Sequence, residues 1–273
     1  MTARFAGRRA LVTGASRGIG AGIAERLAAE GADVALCART LDAHDHLEGS
    51  LRLTQTRLER YGCTVAVVVT DLTDEDQRSR VVHEAAEALG GPIEILVNNA
   101  AAAIYDTVAT FPLRRRRVLF EANVHAPLDL AQAAIPGMLA AGEGWIVNLT
   151  SGAARSRPGP PFDLGPQGST LTVYGASKAA LDRITHGLGA ELYGTGIRVN
   201  AVAPRAAVLS EGAAALVGRT IRPDQVESME QMVEAVVALC DCPEDITART
   251  AVSLDLIADW NLTVHNLDGT VIS

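Results

Sequence analysis

The chain has 273 residues and a formal net charge of −8, with 48% hydrophobic and 21% charged residues. That size suits one large α/β core or two small ones, and the acidic balance excludes nucleic acid and anionic membrane as main partners. No run of about 18 apolar residues occurs, and the opening MTARFAGRRALVTG lacks the apolar core of a signal peptide, so a cytoplasmic chain is expected.

Apolar runs alternate with helical stretches along the whole length. RALVTG (9–14) leads to a helix at about 18–30, and DVALCAR (33–39) to one at about 45–60. TVAVVVT (64–70) precedes a helix near 74–90, and IEILVNNA (93–100) precedes helical sequence to about 140. GWIVNLTS (144–151) is followed by a helix at about 174–193, and GIRVNAVAP (196–204) by one around 227–240. LTVHNL (262–267) reads as a last strand. The strand runs are continuously apolar, as in strands covered on both faces. Repeated βα units then predict α/β architecture: one doubly wound parallel sheet of about seven strands with helices on both faces. No linker or repeat divides the chain, which reads as a single domain over 1–273.

Several features point away from chemistry. Arg114–Arg117 are flanked by Leu113, Val118, Leu119 and Phe120 in a helix-like pattern, which predicts a solvated helix face. Cys37 and Cys63 lie in apolar runs as buried thiols, and Cys240 and Cys242 form a C-x-C without further ligands, so no metal site is expected. HDH at 44–46 reads as loop. Two segments, 152–172 (rich in Gly and Pro) and 205–226 (small and apolar), each follow a strand's carboxyl end, where open α/β sheets bind ligands.

TGASRGIG (13–20) joins the first strand to the first helix. Gly14, Gly18 and Gly20 permit a tight turn whose backbone N–H groups meet a pyrophosphate at the helix N-terminus, with Ser16, Arg17 and Ile19 completing the loop. An NAD site ordinarily ends its second strand in Asp or Glu, which holds the ribose hydroxyls. Here that end carries Arg39 and Thr40, and Arg17 lies in the glycine loop. Two guanidiniums can grip a 2′-phosphate bidentately, so NADP(H) is favoured over NAD(H).

In TVYGASKAAL (172–181), Tyr174 and Lys178 lie one turn apart on a helix face, about 6 Å along the axis. Taken alone they are a surface pair, a packing accident or an acid–base couple. With TGASRGIG, DLTD (71–74), NNAA (98–101), ANV (122–124), NLTS (148–151) and VNAVAP (199–204) in order, the chain resembles the short-chain dehydrogenase/reductase family over roughly 8–205. The resemblance implies a Rossmann fold, with a cofactor half at about 8–143 and a catalytic half at about 144–273. It also implies the set Asn123, Ser151, Tyr174 and Lys178. Tyr174 would be the acid–base for a substrate carbonyl, Ser151 would hold the substrate oxygen, and Asn123 would hold a water linking Lys178 to solvent. Lys178 would bond the nicotinamide ribose and draw the phenol down from about 10 towards roughly 7, which requires about 4 kcal/mol. Asp71 and Leu72 would meet the adenine, Asn98, Asn99 and Ala100 would line the cofactor channel, and Pro204 would touch the nicotinamide side.

Three departures stand out. Ala101 replaces the family's usual glycine and narrows the channel, and Arg205 follows Pro204 with Ser210 as the nearest hydroxyl. Arg205 is left three roles: binding an anionic substrate, binding a cofactor phosphate, or turning outward. Ser151 and Tyr174 are separated by 23 positions, longer than the family's usual spacing, which implies an inserted loop with three roles open to it: overhanging the site, closing it, or making an oligomer contact. The expected activity is NADP(H)-dependent interconversion of a carbonyl and an alcohol, with a small hydrophobic ketone or aldehyde as substrate. By the same resemblance the expected assembly is a homo-oligomer, dimer or tetramer. The alternatives are an NAD(H)-dependent alcohol dehydrogenase and a non-catalytic NADP(H)-binding sensor or scaffold.

Overall fold

Burial on both faces is what turns the apolar runs into a central sheet. In the computed structural model, which describes residues 3–43, 48–163, 168–205, 207–208 and 226–272, seven parallel strands lie in the order β3-β2-β1-β4-β5-β6-β9. They are β1 (Arg9–Thr13), β2 (Asp33–Ala38), β3 (Val65–Val69), β4 (Ile95–Asn98), β5 (Gly144–Leu149), β6 (Ile197–Ala203) and β9 (Arg249–Val252). A two-stranded parallel ribbon pairs β7 (Ala207–Val208) with β8 (Val226–Glu227).

Alternate strand residues feed two cores. Val12, Leu36, Val97 and Val147 pack on one face against α1 (Gly18–Ala29) and the helix after β8, α8 (Met229–Leu239). Leu11, Ala35, Leu96 and Ile146 pack on the other against α4 (Val81–Ala88) and α6 (Ala126–Ala141). At about 25 cal/mol per Å² of apolar area removed from water, these layers fix the sheet and therefore the strand ends that carry the site.

Local chemistry sets the helix starts. α2 (Leu51–Glu59) begins at Ser50, whose Oγ accepts the Leu53 N–H at 3.1 Å, so it starts later than the expected 45; residues 44–47, with the HDH loop, lie outside the described residues. The helix expected near 74–90 is broken into α3 (Glu75–Arg78) and α4. Ser79 Oγ and Arg80 Nε both donate to the Asp76 carbonyl, drawing it out of the helical ladder. The helical sequence before residue 140 is also divided: α5 (Leu113–Phe120) passes into a π-helical turn at Glu121–His125 and then α6. Pro127 has no N–H, so the α-helical donor to the Asn123 carbonyl is missing there. The Arg114–Arg117 run is exposed on α5, as its pattern predicts.

Two expectations fail. The seventh strand is β9, not 262–267, which makes one antiparallel bridge (His265 with Val271) in a turn closed by the Asn266 N–H to Thr270 carbonyl bond. β9 is short and polar at its start, and only pairing with β6 (Asn200 opposite Arg249) reveals it. Cys63 lies before β3 and is half-buried rather than buried, whereas Cys37, Cys240 and Cys242 are buried thiols. Helix α7 (Thr172–Glu191) runs down one side of β6, and α9 (Ser253–Asp259) follows β9. Among the described residues no helix is long and apolar enough to cross a membrane.

Candidate active site

The glycine turn after β1 is built around close backbone contacts. A Cβ on Gly20 would lie 2.4 Å from the Gly14 carbonyl oxygen, and one on Gly14 would lie 2.6 Å from Asn99 Nδ2. Gly14 and Gly18 hold φ of +68° and +55°, a region side chains disfavour. Thr13 Oγ1 accepts the N–H groups of Asn99 and Ala100 at 3.0 Å each, and Asn99 Nδ2 donates to the Thr13 and Gly14 carbonyls. The β4 end therefore holds the glycine turn in shape. The start of α1 has no side-chain cap, which leaves its first N–H groups to water or an anion. Ser16 is buried and Ile19 packs on the core.

The other expected cofactor residues divide. Arg39 is exposed at the end of β2, 71% accessible, with its guanidinium 3.8 Å from the Asp71 carboxylate. Arg17 does not stand free beside it: Nε and Nη2 donate to the Glu48 and Gly49 carbonyls at 2.8 and 2.9 Å. Thr40 offers its carbonyl to Leu51 N–H. Asp71 Oδ1 accepts from the Thr73 N–H and hydroxyl, and Leu72 is buried with its carbonyl bonded by Arg78 Nη1. Asn98 is 3% exposed, and its Nδ2 donates to Asn148 Oδ1 at 2.9 Å and to the Pro127 carbonyl. Its side chain therefore braces β4 against β5, and Asn99 and Ala100 form the rim above it. Ala101 is exposed.

Tyr174, Ser151, Lys178 and Asn123 converge where β4, β5 and α7 meet. The Ser151 hydroxyl is the neighbour that draws the Tyr174 phenol down, and Ser151 Oγ accepts Ala153 N–H at 3.2 Å. The short 3₁₀ turn Gly152–Ala154 lies against α7 so closely that a Cβ on Gly175 would be 2.3 Å from the Ala153 carbonyl oxygen. Lys178 is 3% exposed, and its Nζ donates to the Leu149 carbonyl at 2.8 Å. Asn123, fully buried in the π-helical turn, is committed through its side chain. Oδ1 accepts Ala102 N–H at 2.8 Å, and Nδ2 donates to the Ala102 carbonyl and Ser177 Oγ at 3.0 Å each. π-Helical turns concentrate at functional positions. Arg78 anchors this one, donating to Glu121 at 2.8 Å and to Asp129 at 2.5 Å.

The protonation pattern differs from the sequence expectation. Burial first, then the neighbouring Tyr105, pushes the Tyr174 phenol up to about 12, while the Ser151 hydroxyl pulls it down. Burial brings the Lys178 ammonium down to about 8, against the pull of Asp182. The protein surroundings thus keep the phenol protonated, so the expected lowering towards 7 is not seen. Desolvation is the largest influence on the phenol.

Three features of the site escaped sequence reading. Tyr105, in the loop after β4, stacks edge-on against Tyr174 with ring centroids 5.4 Å apart; it is one of only four tyrosines in the chain. Thr13 braces the cofactor turn through its hydroxyl. Lys178 is the only lysine in the chain, every other strong cation being arginine. That last signal was countable from the sequence. Arg205 turns towards the surface, its guanidinium paired with the Asp255 carboxylate, while its N–H donates to Glu227 and Ser253 at 3.0 and 3.1 Å. Ser210 and most of 205–226 lie outside the described residues. The inserted segment ends at a 3₁₀ turn (Gly168–Leu171), where the Thr170 carbonyl accepts Asp106 N–H at 3.1 Å, tying it to the loop that carries Tyr105.

Comparison with known proteins agrees with the fold. Residues 8–217 match the short chain dehydrogenase family. "Hydroxysteroid dehydrogenase-like protein 2" of Danio rerio is 30% identical over 257 residues, covering 94% of this chain and 59% of that protein, so the chain spans about three-fifths of the relative's length. The solved structure of a 3-oxoacyl (acyl-carrier-protein) reductase from Agrobacterium tumefaciens C58 with NADP bound is 28% identical, with TM-score 0.77 and coverage of 91% of this chain and 93% of that one. A short chain dehydrogenase from Mycobacterium paratuberculosis bound to NAD is 25% identical, with TM-score 0.75 and coverage of 91% and 97%. With the strand order, glycine turn and Ser151–Tyr174–Lys178 cluster in place, the chain belongs to the short chain dehydrogenase family.

Proposed function

We propose that the protein is an NADP(H)-dependent oxidoreductase that interconverts a hydrophobic ketone or aldehyde and the corresponding alcohol, acting as a single domain in a homo-oligomer. The observation that carries this reading is the placement of the chain's only lysine, buried one helical turn from a phenol whose neighbour is the Ser151 hydroxyl. A structural fold has no need of that cluster. The glycine turn fits a dinucleotide: side chains are excluded where backbone crowds Gly14 and Gly20, and the uncapped α1 start suits a pyrophosphate. Gly14, Ser16, Arg17, Gly18, Ile19 and Gly20 would hold the phosphates. Arg39, Thr40, Asp71 and Leu72 would hold the adenosine end, and Asn99, Ala100, Pro204 and Lys178 the nicotinamide end.

When bound, the dinucleotide supplies or accepts the hydride. The chain's own residues manage the proton. Tyr174 Oη, kept protonated by burial, donates to the substrate oxygen during reduction and takes the proton back during oxidation. Ser151 Oγ holds that oxygen beside the phenol. Lys178 stabilises the phenolate left behind, and its Nζ bond to the Leu149 carbonyl fixes where the charge stands. With its side chain spent on Ala102 and Ser177, Asn123 offers a relay water its main-chain carbonyl. The edge of Tyr105 against Tyr174 gives the site an apolar wall, in keeping with a hydrophobic substrate.

The cofactor choice rests on Arg39, exposed at the β2 end with no Asp or Glu in the family's ribose-binding place. One observation favours NAD(H) instead: Arg17 is engaged by the Glu48 and Gly49 carbonyls and so contributes less to a 2′-phosphate. Calorimetric titration with NADPH and NADH separates the two. NADPH is expected to bind tighter, and Arg39→Ala to weaken NADPH by about 10- to 100-fold, as for loss of a hydrogen bond to a charged group, while leaving NADH unchanged. Equal loss for both cofactors, or none, contradicts the assignment.

A further inference from the structure

Helix α7 carries a third polar residue in register with Tyr174 and Lys178. Asp182 lies four positions beyond Lys178, the spacing that stacks side chains one turn apart, and helical side chains lean towards the N-terminus, so Asp182 leans over the lysine's turn. Its surroundings are not those of a surface carboxylate. Asp182 Oδ1 is buried and has no hydrogen-bond partner. Thr150, the residue before Ser151, is the neighbour that draws the Asp182 carboxyl down most, and Thr150 is itself buried with its hydroxyl 3.5 Å from the Lys178 carbonyl. The carboxylate is thus wedged between the β5 end and the lysine turn.

We infer that Asp182 is a positioning residue that keeps the Lys178 ammonium, held by the Leu149 carbonyl, in its charged form near the phenol. The reasoning is electrostatic. Nζ is withdrawn from water and has a single hydrogen bond among the described residues, to a neutral carbonyl. A buried ammonium with only that partner is driven towards its neutral form. Among the described residues, the one negative group that opposes this is Asp182 on the same helix. Among the described residues the charged and titratable groups around the pair are few. Arg155, from the turn after β5, and Lys178 act on Asp182, and Tyr105, from the loop after β4, acts on Tyr174. The remaining packed groups, the Leu149 carbonyl, Thr150, Ser177 and Asn123, carry no charge. Asp182 itself is held above the usual carboxylate range by burial, with Thr150, Lys178 and Arg155 pulling the other way.

This inference rests on the catalytic reading of Lys178, but its test requires neither cofactor nor substrate. Because the chain has one lysine, protein grown on ε-¹³C-lysine carries a single labelled side chain, and its NMR shift followed against pH reports the Lys178 titration alone. The expected result is a midpoint at least about one pH unit lower in Asp182→Asn than in the wild type, restored by Asp182→Glu. Asp182→Ser, neutral and smaller, gives the same reading should the amide variant fold poorly. An unchanged Lys178 midpoint in a folded neutral variant, or a lowered one that Asp182→Glu fails to restore, overturns the inference. A protein that proved to bind no dinucleotide would sink the catalytic reading while leaving this titration intact, so the two failures are distinguishable.

Discussion

Lys178 combines two properties that oppose each other: it is almost fully buried, and its expected role requires charge. Burial lowers its titration from the ordinary 10.5 to about 8. The unfolded chain therefore binds more protons than the folded one between those values, and stability rises with pH across that window. Below about pH 8 the full cost is present, roughly 3 kcal/mol by the conversion of about 1.4 kcal/mol per pH unit. Replacing Lys178 by methionine should remove that cost. Urea unfolding is expected to show Lys178→Met more stable than the wild type at pH 7, with the gap narrowing between pH 8 and 10.5, and turnover lost. A variant less stable at pH 7 would show that the lysine's contacts outweigh its desolvation. At this scale the sequence was legible where a residue type is rare and its spacing is local, as with Tyr174 and Lys178. It was not legible for Arg17, whose partners are carbonyls 31 and 32 positions away. Nor did it reveal Tyr105, which reaches Tyr174 only through the loop after β4.

Elements place the proposed catalytic groups through close backbone approach rather than through strong bonds. The 3₁₀ turn after Ser151 touches α7 at Gly175, where any side chain meets the Ala153 carbonyl. Gly175→Ala must therefore separate Ser151 from Tyr174 while leaving the glycine turn untouched. Misplacement on the ångström scale costs catalysis about a hundredfold. The expected outcome is a turnover loss of that order with NADPH affinity retained, checked by steady-state kinetics beside calorimetry; equal loss of both would mean that the whole fold had shifted. The strands were read correctly because continuous apolar runs survive any tertiary context. The last strand was not. β9 buries little and is defined by its partner β6, whereas 262–267 has a strand-like composition and folds back on itself. The π-helical turn at Asn123 left no mark in composition beyond Pro127, because it changes hydrogen-bond register and not hydrophobic pattern.

Across the whole molecule, the carboxyl ends of β1, β4, β5 and β6 converge on one edge of the sheet, as doubly wound folds do at their ligand site. The glycine turn, the Tyr105 loop and the end of the inserted segment meet there, and the Asp106 to Thr170 bond joins two of them. The central claim is that this edge transfers hydride to a carbonyl with Tyr174 supplying the proton. NADPH absorbance followed during incubation with a panel of hydrophobic ketones and aldehydes, for the wild type and Tyr174→Phe, tests it most directly. The wild type is expected to oxidise NADPH and form alcohol, and Tyr174→Phe to bind NADPH equally well but react about a thousandfold more slowly. A phenylalanine variant that turned over at the wild-type rate would contradict the account.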